Sequence, residues 1–306
     1  MTACMASGPA FGDWMAQVQA SMEESLSSLL PEAAGAPLRL RQAMRYAVLG
    51  GGKRVRPLLV FAAGELFEAA PAALAHCAAA VEMIHAYSLV HDDMPCMDDD
   101  ALRRSKPTVH RQYDEATALL AGDALQAQAF QVLAAADVAD PARQLAMLRL
   151  LAQAAGANGM CGGQAIDLES VGLSLSLAQL EQMHRLKTGA LLHASVLLGA
   201  WCGNAWSAAG MEADTGALNA YADAIGLAFQ VVDDVLDATA DAATLGKTAG
   251  KDAADNKPTY VSILGLEQSS ALAEKLREDA HQALAHFDGK ARHLRALADL
   301  IVQRKA

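Results

Sequence analysis

Long alanine- and leucine-rich stretches dominate the chain, near 38–50, 55–70, 72–92, 113–136, 141–160, 177–202, 213–237 and 260–304. Both residue types lead the helix-propensity ranking, and the period-two alternation of β-branched residues that marks strands is rare. The pattern predicts an all-α chain of roughly eight to eleven helices and no sheet. Many stretches are apolar on more than one face, as in helices buried inside a large bundle. Punctuation is confined to Gly50-Gly51-Gly52, Met94–Pro107, Gly159–Gly172, Gly203–Gly210 and Thr239–Pro258. Residues 1–35 are less regular, broken by Gly8-Pro9, Pro31 and Gly35-Ala36-Pro37. No linker, short repeat or shift of composition marks a seam, so a single domain over 1–306 is expected.

Composition narrows the class. Of 306 residues, 53% are hydrophobic and 19% charged, which excludes a disordered chain. The formal charge of −11 disfavours non-specific binding to nucleic acid or anionic membrane. A polyanionic ligand would need local basic groups or a bridging metal. No uninterrupted apolar run reaches the length of a membrane span. No Lys or Arg precedes Arg39, which disfavours secretory and transit signals. Cys4, Cys77, Cys96, Cys161 and Cys202 are scattered and never spaced CxxC. Reduced thiols and a cytoplasmic location are expected, without a disulfide framework or structural zinc.

Two acidic clusters end strongly apolar helical runs. In Gln230-Val231-Val232-Asp233-Asp234-Val235-Leu236-Asp237, Asp233 and Asp237 are i and i+4, about 40° apart on a helix. They share a face with Gln230 one turn before. Carboxylates set among valines and leucines call for a cation, and hard oxygen ligands suit Mg²⁺. In His91-Asp92-Asp93-Met94-Pro95-Cys96-Met97-Asp98-Asp99-Asp100, Asp92 and Asp98 do not align on a straight helix. Pro95 lacks the N–H that would bond the His91 carbonyl and disfavours helix at Met94. The helix is expected to end or kink there, folding Asp98 back towards Asp92. Spacing alone does not choose among Asp98, Asp99 and Asp100 as metal ligands.

Two metal-clasping sets imply a polyphosphate between them, and phosphates also need direct donors. Gly50-Gly51-Gly52-Lys53-Arg54-Val55-Arg56-Pro57 offers Lys53 and Arg56 beside glycines that permit close backbone approach. Arg103-Arg104 follows the first cluster. Lys187-Thr188 lies within a helical run, and Lys247, Lys251 and Lys257 follow the second cluster. Val81, His85, Ser88 and Asp92 fall on one helical stripe, which makes His85 a candidate phosphate contact.

These motifs resemble the trans-isoprenyl diphosphate synthases, and within them the bacterial-type farnesyl diphosphate synthases. The likeness runs from about Arg39 to the C-terminus. It is carried by GGKRVRP (51–57), HAYSLVHDDMPCMDDDALRR (85–104), AGDAL (121–125), MCGGQAIDLE (160–169), HRLKTGALL (184–192), GLAFQVVDDVLD (226–237), TLGKTAGKD (244–252) and KPTY (257–260). It implies antiparallel helices around a central cavity, usually in a homodimer. The implied reaction is head-to-tail condensation of isopentenyl diphosphate with dimethylallyl and then geranyl diphosphate. By position, Asp92, Asp98 and Asp233 bind Mg²⁺, with Asp93 and Asp237 in support. The family uses three metal ions per site, and Mn²⁺ can substitute. Arg103, Lys187, Thr188, Gln230, Lys247 and Lys257 hold the allylic diphosphate. Lys53, Arg56, His85 and Arg104 hold isopentenyl diphosphate. Ser105 and Asn256 stand where the family often has glycine.

Catalysis in such a site is electrostatic, with no covalent nucleophile or dedicated side-chain base. Closure of the 239–258 segment over the site is expected from its glycines and lysines. In the family a bulky residue five before the first Asp caps the cavity. Here that is Tyr87, with Ser88 beside it, and a C15 product is expected. On the wheel Ser88 lies nearer Asp92 (about 40°) than Tyr87 does (about 140°). Geranylgeranyl (C20) and geranyl (C10) diphosphate synthases are the near alternatives. A class I terpene cyclase would not need the Lys53, Arg56 and His85 site. An inactive helical partner subunit would commonly have lost one Asp motif.

Overall fold

The computed structural model describes residues 10–31, 35–135, 138–206, 211–239 and 258–304. Helix α1 (Phe11–Leu29) buries Trp14, Val18, Met22 and Leu26, a four-residue spacing that makes one apolar stripe. Then come α2 (Leu38–Val48), α3 (Val55–Leu66), α4 (Pro71–Asp92) and the one-turn α5 (Val109–Gln112). Helix α4 opens on Pro71, where a missing N–H costs nothing. It is buried on every face and packs against α1, α2, α3 and two later helices, α6 (Glu115–Ala135) and α10 (Ala190–Trp201). By length and hydropathy it could cross a membrane, but 72% of its most apolar stretch lies inside the bundle. It is the central core helix.

Between α6 and α10 lie α7 (Pro141–Ala155), α8 (Met160–Glu169) and α9 (Leu177–His184). Asp140 caps α7 by accepting from the Ala142 and Arg143 amides, and Ser176 with Gln179 forms a capping box on α9. The long α11 (Met211–Thr239) packs chiefly along α13 (Leu266–Ala283). Short α12 (Tyr260–Leu264) and terminal α14 (Arg292–Gln303) complete the bundle. The buried apolar side chains form one contiguous cluster.

The expected helices over 38–50, 55–70, 72–92, 141–160 and 213–237 are present, with small differences at their ends. Three features depart from expectation. The run 177–202 contains a π-helical turn at Arg185–Gly189. The run 260–304 breaks at Gly265 (φ 82°) and in a 3₁₀ segment, Ala285–Ala291. The expectation of no sheet is corrected by a two-stranded antiparallel hairpin, β1 (Leu102–Arg103) with β2 (Lys106–Pro107). Its two loop residues, Arg104 and Ser105, have φ of 53° and 61°. Two successive positive φ values suit a two-residue hairpin turn, whose twist matches that of the strands. Strands this short leave no period-two signal to read. The scattered Cys77 and Cys202 also meet, as buried thiols with Sγ atoms 3.1 Å apart.

Candidate active site

The first aspartate cluster forms where α4 stops. Asp93 follows the helix, and the chain turns back at once: the Met97 amide donates to Met94 O at 2.8 Å and the Asp98 amide to Asp92 O at 2.9 Å. Asp98 is thus drawn against Asp92 by a backbone bond, as Pro95 led one to expect. Asp93 is buried and gripped in a forked contact by Arg103, with Nη2 2.5 Å and Nε 2.7 Å from Oδ1. Burial pushes the Asp93 carboxyl up to about 6, and Arg103 pulls the other way. Asp99 is exposed and turned to Arg111 at 3.0 Å, and Asp100 lies 3.5 Å from Arg103. Among the three trailing aspartates, Asp98 is therefore the one whose backbone is bonded to Asp92.

Helix α8 supplies two side chains to which the sequence assigned no role. Gln164 Nε2 donates to Asp92 Oδ1 at 2.6 Å, and Asp167 Oδ2 lies 2.5 Å from Lys187 Nζ. The only local signal was their spacing within MCGGQAIDLE, three apart on one face. Lys187 and Thr188 sit inside the π-helical turn, a device that re-aims side chains and recurs at functional sites. Gly163 lets α8 approach this turn: a Cβ there would lie 2.1 Å from the Lys187 amide nitrogen.

Thr188 Oγ1 donates to Gln230 Oε1 at 2.7 Å, tying the π turn to α11. One turn on, Asp233 pairs with Arg304 at 2.5 Å, a partner that no sequence motif indicated. The intervening Asp234 points elsewhere, accepting from the Tyr260 amide at 2.7 Å and anchoring the start of α12. Asp237 is buried, and among the described residues its Oδ1 has no hydrogen-bond partner. A buried carboxylate oxygen without a donor is costly unless a cation completes it. This orphaned oxygen, on the face shared with Asp233, fits a magnesium ion. Among the described residues no three His, Cys, Asp or Glu side chains close around one point.

The opposite wall is basic. Gly50, Gly51 and Gly52 have φ of 93°, 99° and 129°, and Arg104 Nη1 donates to Gly51 O at 2.6 Å. A Cβ on Gly52 would lie 2.6 Å from that guanidinium, so the glycines make the seat for Arg104. Arg54 is not a free donor: it pairs with Glu82 and Glu23, each at 2.5 Å, and holds the loop to α4 and α1. Arg56 Nε is buried without a partner, and burial lowers the guanidinium to about 10. Burial, with Arg56, Arg104 and Arg103 nearby, holds the His85 imidazole well below its usual range. His85 thus faces the site as a neutral hydrogen-bonding group. Burial also lowers Lys53, reinforced by Arg304 and opposed by Asp233.

Hydrogen bonds, ion pairs and longer-range electrostatic interactions together close a ring. It runs from Asp92 through Gln164 and Asp167 on α8 to Lys187 and Thr188, and through Gln230 to Asp233. Arg304 joins Asp233, and both act on Lys53. Arg56 feels Asp233, Glu82 and Arg104, and Arg103 returns to Asp93. Both acidic helix ends and the basic wall therefore border one mouth. Lys247 and Lys257, and the expected closing segment around them, lie outside the described residues.

Below the mouth, Tyr87 is buried, with its hydroxyl 3.4 Å from Cys161 Sγ and its ring edge-on to His91. Ser88 is occupied by its own helix, donating to His85 O at 2.8 Å. Cys161, which is exposed, also lines an open pocket of about 570 Å³ between α6, α7 and α8, with Gln126, Phe130, Ala152 and Ala155. Tyr87 thus reaches this pocket through Cys161.

A model of the polyprenyl synthetase family matches residues 37–295. Farnesyl diphosphate synthase of Haemophilus influenzae is 46% identical over 300 residues, covering 97% of this chain and 99% of that protein. The heterodimeric geranylgeranyl pyrophosphate synthase large subunit 1 of Arabidopsis thaliana, a chloroplastic protein, is 46% identical over 309 residues, covering 98% and 81%. The solved apo structure of an FPP/GFPP synthase from Zymomonas mobilis superposes with a TM-score of 0.85 at 41% identity, covering 95% of this chain and 98% of that one.

Proposed function

Because the chain belongs to the polyprenyl synthetase family, we propose that it condenses isopentenyl diphosphate with dimethylallyl and then geranyl diphosphate to form farnesyl diphosphate. The carrying observation is the ring: two acidic helix ends and a basic wall around one mouth, with a buried tyrosine beneath.

The residues divide the work. Asp92, Asp98 and Asp233 would hold magnesium, with Asp93 and Asp237 beside them. Bound magnesium supplies charge neutralisation for a departing diphosphate. Arg103, Lys187, Thr188 and Gln230 position the allylic diphosphate, joined by Lys247 and Lys257. As the allylic C–O bond ionises, Arg103 and Lys187 stabilise the leaving group as fixed charges. Lys53, Arg56 and Arg104 hold the second diphosphate electrostatically, and neutral His85 donates a hydrogen bond to it. The isopentenyl double bond attacks the allylic carbon, a new C–C bond forms, and the proton lost passes to the released diphosphate. No side-chain base is required. Apolar walls keep water from the cation.

A homodimer is part of this reading, as the family resemblance implies. The described cysteines are free thiols, in keeping with a cytoplasmic enzyme. The deciding assay incubates the protein with isopentenyl diphosphate, Mg²⁺ and C5 or C10 allylic primers and sizes the products. C15 alcohol after phosphatase treatment is expected. Cyclised hydrocarbon, or no incorporation of isopentenyl diphosphate, would refute the reading.

A further inference from the structure

Arg304, the residue after α14, reaches into the second aspartate cluster. Its Nη2 lies 2.5 Å from Asp233 Oδ1 and donates to Phe229 O at 2.9 Å. Its guanidinium sits 4.0 Å from the centroid of the Phe229 ring, in cation–π range. The Arg304 side chain is only 8% exposed, against 44% for Asp233. Its Nε is buried with no hydrogen-bond partner. From the opposite wall Lys53 feels its charge.

We propose that Arg304 is the resting counter-ion of Asp233, a positioning residue that holds this carboxylate until a divalent cation takes it. The proposal rests on the reading of Asp233 as a magnesium ligand. A guanidinium and a metal ion cannot share one carboxylate oxygen cheaply, since like charges a few ångströms apart repel strongly in a partly buried site. Cation entry at Oδ1 therefore displaces Arg304. The niche suits a holding position: it supplies an ion pair, a carbonyl and an aromatic face, yet leaves one buried N–H unmet. While docked, Arg304 keeps Asp233 oriented and offsets its repulsion with Asp234 and Asp237. Metal loading is thereby coupled to release of the last helix's end from the mouth.

The test is calorimetric titration of Mg²⁺ into the full chain with saturating inorganic diphosphate, a readout separate from turnover. Arg304→Met should bind Mg²⁺ roughly fivefold more tightly than the unaltered protein, because the guanidinium on Oδ1 no longer has to be expelled. Combining it with Asp233→Asn should give no gain over Asp233→Asn alone. Equal or weaker affinity in Arg304→Met, or a gain that persists without Asp233, overturns the proposal. If Asp233→Asn by itself leaves Mg²⁺ binding undiminished, the metal reading of Asp233 fails and the proposal falls with it. Binding that depends on Asp233 but is indifferent to Arg304 defeats only the proposal. Arg304→Gln carries the same expectation should the methionine variant not fold.

Discussion

Lys187 Nζ lies 2.5 Å from Asp167 Oδ2, so an ammonium assigned to a substrate diphosphate rests on a carboxylate outside both aspartate clusters. Asp167 is buried on α8, and Lys187 is carried by the π-helical turn. The pair fixes where the ammonium waits, and pre-orienting a flexible lysine lowers the entropy lost when substrate binds.

Asp167→Asn should therefore raise KM for geranyl diphosphate by roughly tenfold, equivalent to about 1.4 kcal/mol, and leave KM for isopentenyl diphosphate nearly unchanged. Steady-state kinetics with each substrate varied in turn checks this. An equal rise in both constants would mean that the pair serves the fold rather than the allylic site.

Tyr87→Ala should lengthen the product from C15 towards C20, because it removes a buried ring whose hydroxyl touches Cys161 at the edge of the pocket between α6, α7 and α8. Tyr87→Phe removes only the hydroxyl contact and should still give C15. Removing a buried ring costs about 3 kcal/mol, so the alanine variant should also melt earlier. Chromatography of the dephosphorylated products decides the matter, and an unchanged C15 product from Tyr87→Ala would exclude this residue as the floor.

Stability should fall in mild acid. Burial lowers the His184 imidazole to about 4, and the ring stacks on Tyr260 with neither nitrogen hydrogen-bonded. Between about pH 4 and the ordinary histidine value near 6.5, the unfolded chain binds the proton that the folded chain refuses. The stabilisation from keeping His184 neutral is complete above that window and is lost as pH falls through it, by up to about 3 kcal/mol. His85 shifts in the same direction and adds to the effect. Denaturant midpoints at pH 7 and pH 5 should differ less for His184→Phe than for the unaltered protein.

Ser105→Gly should raise stability by about 1 kcal/mol, because Ser105 adopts φ of 61° in the hairpin turn and a side chain there is strained. Arg104, with φ of 53°, bears the same strain but is held by Gly51. A higher melting temperature with unchanged kinetics is expected. A lower one would show that the Ser105 side chain contributes more than its strain costs.

Much of this site was legible before any coordinates. The i, i+4 spacing of Asp233 and Asp237 placed both on one face, and the structure puts Asp234 between them to other use. Pro95 announced the turn that bonds Asp98 to Asp92. The break before the helix at Val55 was written in the glycines at 50–52. Less could be seen where the cause is not local. Gln164 and Asp167 look like ordinary polar residues on α8 until α4 and the π turn are packed beside them. The glycine run at 50–52 reads as a flexible loop until Arg104 arrives to occupy it.

Composition and periodicity alone determined an all-helical bundle with two acidic helix ends, because helix propensity and i, i+4 geometry act over a few neighbouring residues. The folded chain alone decided which charges meet: Arg304 with Asp233, Arg103 with Asp93, Lys187 with Asp167. Two of these pairs join residues 20 and 71 positions apart. Coulomb attraction and burial depend on distance in space, which sequence spacing does not specify once the chain has folded back on itself.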